Sequence, residues 1–261
     1  MSTDSAVQVV VRVRPLSRKE VNEGCQDCSN TTTSSIRLQA AGKTFNFDRV
    51  FDPRVSQAEI YETSATGIVK KCFDGYNGTI LAYGQTGSGK TFSMGTDFNV
   101  DSNRKKGSIK KTSGIIPRAV HELFDYMDNK DDIDFKLTVS YLEVYKEEIK
   151  DLLKPGKPLP IREDGNRNVF VAGLHWQEVK TPTEIQQWLS RGNENRATAS
   201  TNMNATSSRS HAILSIRIDQ TPSKLHARNS HSTGSSLIFS PFTQALTLLM
   251  RFWHEAASRV S

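Results

Sequence analysis

Residues Gly84, Gln85, Thr86, Gly87, Ser88, Gly89, Lys90 and Thr91 form an unbroken Gly-Gln-Thr-Gly-Ser-Gly-Lys-Thr segment, directly after the apolar run Thr79-Ile80-Leu81-Ala82-Tyr83. The spacing G-x-x-x-x-G-K-[ST] dictates a buried strand, a tight turn and a helix start, in that order. Glycines let backbone N–H groups turn toward phosphate oxygens without a Cβ in the way. Lys90 places an ammonium at the terminal phosphates and Thr91 a hydroxyl at Mg²⁺. A helix opening here adds the favourable end of its dipole to the anion.

The surrounding chain reads as alternating strands and helices. Val7 to Val13 is β-branched, is bounded by Pro15, and predicts a central strand. Ile36 to Leu38 and Thr44 to Phe47 predict short strands around Ala41-Gly42. Ser56-Gln57-Ala58-Glu59 is a capping box, followed by an apolar face of Ile60, Ala65, Ile68, Val69 and Cys72. Asp97 to Ser113 is polar and basic and reads as a surface loop. Pro117 opens a helix carrying Ala119, Val120, Leu123, Phe124 and Met127. Phe135 to Val144 alternates as a strand, and Val169 to Trp176 is a shorter strand region. Thr181-Pro182-Thr183-Glu184 caps a helix that buries Ile185, Trp188 and Leu189, and Ala212 to Ile218 alternates again. The expected class is α/β: a P-loop NTPase-type central, mostly parallel sheet with helices on both faces. Its ligand is expected at the carboxyl ends of the strands, where Gly84 to Thr91 sits.

Composition narrows the setting. The chain has 261 residues with a formal net charge of +6, which favours an acidic partner without choosing among a polymer surface, nucleic acid and membrane. No apolar stretch reaches the length of a membrane span. Cys25, Cys28 and Cys72 do not make a disulfide framework, and Cys25-x-x-Cys28 has no second pair to complete a zinc site. A reducing setting follows.

Asn204-Ala205-Thr206-Ser207-Ser208-Arg209-Ser210-His211 is dense in hydroxyls beside a strand. Alone it reads as a polar turn. Paired with Gly84 to Thr91 it resembles the kinesin motor domain. Arg12-Val13-Arg14-Pro15, Gly114-Ile115-Ile116-Pro117-Arg118 and Ser140-Tyr141-Leu142-Glu143-Val144-Tyr145 with Asp151-Leu152-Leu153 extend the resemblance over about residues 7–226. The resemblance implies that Arg12 and Pro15 flank an adenine and that Phe92 stacks on it. It implies ATP on Gly84 to Thr91, Mg²⁺ near Thr91 and Ser208, and a γ-phosphate sensor in Asn204, Ser207, Ser208 and Arg209. Lys90 joins those four as the candidate catalytic group. Such switches order around a γ-phosphate and relax on hydrolysis. The implied activity is a microtubule-stimulated ATPase, the implied partner tubulin in microtubules, and the implied location the cytoplasm and its cytoskeleton. No nucleic acid partner, membrane span or stalk-mediated dimer is expected.

The family pattern then departs. Ser223-Lys224-Leu225-His226 matches the start of a strand that should lead to Asp-Leu-Ala-Gly-Ser-Glu, yet no Asp-x-x-Gly occurs between His226 and Ser261. Residues 1–226 are therefore expected to be a partial motor domain, its sheet missing or replacing one strand. Residues 227–261 are expected to lie outside the family pattern. Asn229 to Ser236 reads as flexible, and Pro241 to Val260 carries a helical apolar stripe. The stripe has three readings: a patch for the exposed sheet, a membrane-surface helix, or an aggregation-prone tail without selected function, and the last is the one expected. Two functional readings stand side by side: an ATP-binding motor domain impaired in hydrolysis, and a non-motor truncated form that binds nucleotide weakly or misfolds.

Overall fold

The computed structural model describes residues 7–95, 109–201, 210–223 and 233–242. In chain order the elements begin with β1 (Val10–Arg12), α1 (Arg18–Asn22), β2 (Ser29–Thr31), β3 (Ser35–Leu38), β4 (Lys43–Asn46) and β5 (Arg49–Phe51). Then come α2 (Gln57–Ser64), α3 (Thr66–Phe73), β6 (Gly78–Tyr83), α4 (Lys90–Met94), α5 (Ile115–Asp128) and β7 (Ile133–Tyr145). The rest are β8 (Glu148–Asp151), β9 (Ile161–Glu163), β10 (Val169–Val171), β11 (Gln177–Val179), α6 (Pro182–Thr201), β12 (Ser210–Pro222) and β13 (Thr233–Phe242).

The main sheet has six strands, in the order β11-β7-β12-β13-β6 with β8 also paired to β7. β7 and β12 run antiparallel from Ser210 opposite Tyr145 to Pro222 opposite Ile133. β13 is antiparallel to β12, with Leu214 opposite Phe239, and parallel to β6, with Leu237 opposite Gly78. The α/β class holds, but the expectation of a mostly parallel sheet does not. Within this sheet only β13 and β6 are parallel among the described residues. The reason is the connections. β7 reaches β8 through Lys146 and Glu147, both at positive φ (49° and 66°), which is a two-residue hairpin, and a hairpin makes its strands antiparallel.

The apolar periodicities meet on one side of this sheet. Tyr61 of α2, Val69 and Cys72 of α3, Met94 of α4, Leu123 of α5 and Ile185 of α6 join one core with alternating residues of β7, β12 and β13. The helices were expected on both faces. A second, smaller core on the other face holds Leu142, Val144, Ile149 and Ile213 under Leu159, Val171 and Leu174, and contains no helical residue among those described. The ends of α4 and α5 touch backbone to backbone: a Cβ on Gly95 would stand 2.6 Å from the Gly114 nitrogen.

Two further expectations are corrected. The strand expected over Val7 to Val13 shortens to β1, which pairs only with β5 among the described residues, in parallel and outside the main sheet. The Ser-rich stretch expected to be flexible contributes Thr233 to Ser236 to β13. Serine is tolerated there because backbone ladder bonds hold the strand, and the core needs only the alternate residues Leu237 and Phe239, both fully buried. Burying each contributes about 1.5–3 kcal/mol. β13 fills the place between β12 and β6 in the sheet. Pro241 and Phe242 end β13 and do not start a helix, while the remainder of the apolar stripe, from residue 243 on, lies outside the described residues.

Candidate nucleotide site

β6 delivers the chain to the carboxyl edge of the sheet, and the loop turns there. Gly84, Gly87 and Gly89 adopt φ of 155°, 79° and 94°, conformations that side chains rarely accept. At Gly84 the constraint is also steric, since a Cβ would lie 2.5 Å from Ser88 Oγ. Gly89 is the N-cap of α4, with no side chain bonded to the first-turn N–H groups. Those donors face the loop, which is the arrangement an anion requires.

Lys90 is the first residue of α4. Its ammonium donates to the carbonyl oxygens of Gly84 and Gln85 at 2.7 and 2.8 Å, so it spans the mouth of the loop from helix to strand end. Partial burial lowers its pKa. Gln85, Thr86, Gly87 and Thr91 are exposed, and Ser88 tightens the turn by donating its N–H to Gln85 at 3.2 Å. The Thr91 hydroxyl is a hard oxygen donor of the type that Mg²⁺ takes beside phosphate.

A second group stands on the outer side of α4. The Arg12 guanidinium lies 5.0 Å from the centre of the Phe92 ring, whose residue is 53% exposed. Arg12 also donates to Gln57 Oε1 at 2.7 Å and to Ser93 Oγ at 2.9 Å. Gln57 in turn donates to the Phe92 and Thr112 carbonyls at 2.7 and 3.2 Å. Burial lowers the Arg12 pKa. β1, α2, α4 and the approach to α5 are thereby locked around one exposed aromatic face. Pro15 sits on an exposed turn whose carbonyl accepts from Arg14 at 3.0 Å. Arg14 forks onto Glu20 at 2.7 and 2.5 Å, and this hydrogen bonding, with those from Ser17, pushes the Glu20 carboxyl down to about 2.

Asn204, Ser207, Ser208 and Arg209 lie outside the described residues. Their flanks are described. Arg196 on α6 donates to Glu143 Oε1 at 2.8 Å and to Ser210 Oγ at 2.8 Å, clamping the end of α6 to the first residue of β12 across β7. The sequence reading missed Gln57, Ser93 and Arg196. Gln57 was legible only as a helix-start residue, and Arg196 is one arginine in a polar stretch, a pattern that carries no signal by itself. Among the described residues no cluster of His, Cys, Asp and Glu could hold a metal ion, Cys25 and Cys28 are exposed free thiols, and no helix is long and apolar enough to cross a membrane.

Comparison with known proteins identifies the family. The family model for the kinesin motor domain matches residues 12–239. Over 218 residues the chain is 43% identical to the chromosome-associated kinesin KIF4A of Homo sapiens, covering 82% of this chain and 17% of that protein. It is 42% identical to kinesin-related protein 8 of Dictyostelium discoideum over 230 residues, or 85% of this chain and 12% of that protein. The chain therefore spans less than a fifth of the length of these two relatives. The solved structure of a fast kinesin, described with its ATPase mechanism and interactions with microtubules, superposes with a TM-score of 0.81 at 34% identity, covering 92% of this chain and 67% of that one. From residue 12 to a point inside β13, the chain belongs to the kinesin motor-domain family.

Proposed function

We propose that this chain binds Mg·ATP at Gly84 to Thr91 and turns it over slowly. The observation that carries the reading is the phosphate loop itself, placed between β6 and α4 with Lys90 spanning its mouth. Loop N–H groups and Lys90 hold the phosphates, Thr91 and Ser208 take the magnesium, and Phe92 with Arg12 and Pro15 receives the adenine. Asn204, Ser207, Ser208 and Arg209 sense the γ-phosphate. Magnesium supplies charge neutralisation at the phosphates, and the protein contributes position and electrostatics.

Slow turnover follows from the strand beside the loop. β13 is parallel to β6 and ends next to it, with Phe242 opposite Tyr83, yet the strand carries no Asp or Glu. Residues 227–261 hold no Asp-x-x-Gly, so this segment offers neither that carboxylate nor that glycine N–H to the γ-phosphate. Loss of one such preorganised group costs about 10²–10³ in rate. The same observation favours a second reading, a non-motor form that binds nucleotide weakly.

The cytoskeletal partner on this reading is the microtubule, and the cytoplasm is the setting. Titration of the purified chain with Mg·ATP tests the first claim: Lys90→Ala should weaken binding at least about tenfold. If Lys90→Ala binds as tightly as the parent, the site is not operating. Microtubule-stimulated phosphate release tests the second, and turnover matching an intact kinesin motor domain would overturn the slow-hydrolysis reading.

A further inference from the structure

Gln57 is the first residue of α2 and is 5% exposed, so its carboxamide is taken out of water and needs a partner at each end. Its Nε2 donates to the carbonyl oxygens of Phe92 and Thr112 at 2.7 and 3.2 Å. Its Oε1 accepts from the Arg12 guanidinium at 2.7 Å. A guanidinium can only donate and a carbonyl can only accept, so this orientation of the amide is the one that satisfies all three partners. The Phe92 carbonyl lies in the last turn of α4, where a helix runs out of its own N–H donors, and Gln57 supplies one from a different element. α2 itself is anchored on both sides of this contact. Ser56 caps its first turn by accepting from the Glu59 N–H at 3.2 Å, and Tyr61, one turn after Gln57, donates its hydroxyl to Glu122 of α5.

We propose that Gln57 is the positioning residue of the base site, on the reading that Arg12 and Phe92 receive the base. Phe92 is carried by a helix of five residues and Arg12 by a strand of three, and neither short element fixes its side chain alone. Gln57 ties the two together. One end of its amide aims the guanidinium, which lies 5.0 Å from the centre of the Phe92 ring. The other end holds the backbone from which that ring projects, and binds it to the approach to α5 through Thr112. An arriving base therefore meets a cation and a ring already set against each other, and less ordering is left to oppose binding. None of the three partners of the amide lies in Gly84 to Thr91, so its effect falls on the base and leaves the phosphates to the loop.

Calorimetric titration of the full 261-residue chain with Mg·ATP and with inorganic magnesium tripolyphosphate tests this. Gln57→Met keeps the volume and removes both the donor and the acceptor. It should weaken ATP at least about fivefold and leave tripolyphosphate within about twofold of the parent, and the retained tripolyphosphate binding shows that the fold stands. Gln57→Glu keeps an acceptor for Arg12 but sets an oxygen against the Phe92 and Thr112 carbonyls, so it should weaken ATP at least about threefold at neutral pH. In a Phe92→Ala background the stack is gone, and adding Gln57→Met should cost less than about twofold in ATP affinity. Gln57→Met or Gln57→Glu binding ATP like the parent, while Phe92→Ala weakens it, overturns the proposal and leaves the base reading intact. Equal losses for ATP and tripolyphosphate overturn it by placing Gln57 in support of the loop. Full additivity with Phe92→Ala overturns it as well. A parent chain that binds the two ligands equally, with no loss on Phe92→Ala, ends the base reading and the proposal together.

Discussion

Leu237 stands opposite Gly78 across the parallel pair of β13 and β6, and a Cβ added to Gly78 would lie 3.0 Å from Leu237 Cδ1 and 2.6 Å from Ile68 Cγ2. The two strands and α3 are in contact with no spare volume at this point. Leu237→Ala should cost about 2–5 kcal/mol, and Gly78→Val about 1–3 kcal/mol through overpacking. Urea unfolding measures both. A Leu237→Ala variant as stable as the parent would mean that β13 is not part of the core in solution.

Thiol reactivity offers an independent reading of the same packing. Burial pushes the Cys72 thiol up to about 12, and the Ser235 hydroxyl donates to the Cys72 carbonyl at 2.7 Å. A chromogenic disulfide reagent at mild alkaline pH should modify Cys25 and Cys28 rapidly and Cys72 only as the protein unfolds. Leu237→Ala should speed the slow phase. Three thiols reacting at one fast rate would exclude the observed strand arrangement.

If the proposed site holds, the Arg12 cluster serves the base and the loop the phosphates, and the two can be separated. Arg12→Ala removes the cation over Phe92 and the bonds to Gln57 and Ser93. A loss of about 1 kcal/mol is expected, or roughly fivefold in ATP affinity. Affinity for inorganic tripolyphosphate should stay within about twofold of the parent, being set by the loop. Equal losses for both ligands would show that Arg12 acts on the loop and not on the base.

Glu143 is the buried anion of the α6–β12 clamp, with a side chain only 5% exposed beside Arg196. Arg196→Ala strands that carboxylate and should destabilise the fold by about 3–5 kcal/mol. Adding Glu143→Leu to Arg196→Ala should recover part of the loss, which a thermal or urea double-mutant cycle detects. No recovery would place the effect of Arg196 in its bond to Ser210.

The Arg14–Glu20 fork sets an acid limb. Glu20 falls from its ordinary value of 4.5 to about 2 on folding. A depressed folded-state pKa contributes stability that is present above the unfolded value and is lost as pH falls through the folded one. The fork should weaken between about pH 4.5 and 2, and Glu20→Gln should be less stable than the parent above that window and equal to it below. The urea midpoint against pH follows this directly, and parallel curves for the two proteins would rule the fork out as a contributor.

The phosphate loop was legible because each of its positions has a local backbone reason. Glycines at 84, 87 and 89 take the unusual φ values, and Lys90 and Thr91 open the helix that follows. Helix starts at Ser56 and Thr181 were equally local, each held by a side-chain bond within its own first turn. What escaped was non-local. Gln57 matters through Arg12, 45 residues away, and Arg196 through Glu143, 53 residues away. β13 escaped because a serine-rich run lacks β propensity. The strand forms because two flanking backbones, β12 and β6, both offer ladder bonds. Strand direction was misjudged where alternation of element types was taken to mean crossovers and β7 instead doubles back through a hairpin.

The position of β13 also sets a timetable. Ser236 donates its N–H to Asn77, 159 residues earlier. A strand that lies inside the sheet is thus synthesised 159 residues after the neighbour it pairs with. At about 5–20 residues per second, the strand leading into the phosphate loop waits roughly ten to thirty seconds for its neighbour. During that interval β6 is an apolar edge open to any extended chain nearby. Rapid escort of the nascent chain, or slow pairing once synthesis has passed residue 242, therefore governs how much of this protein reaches a nucleotide-competent form.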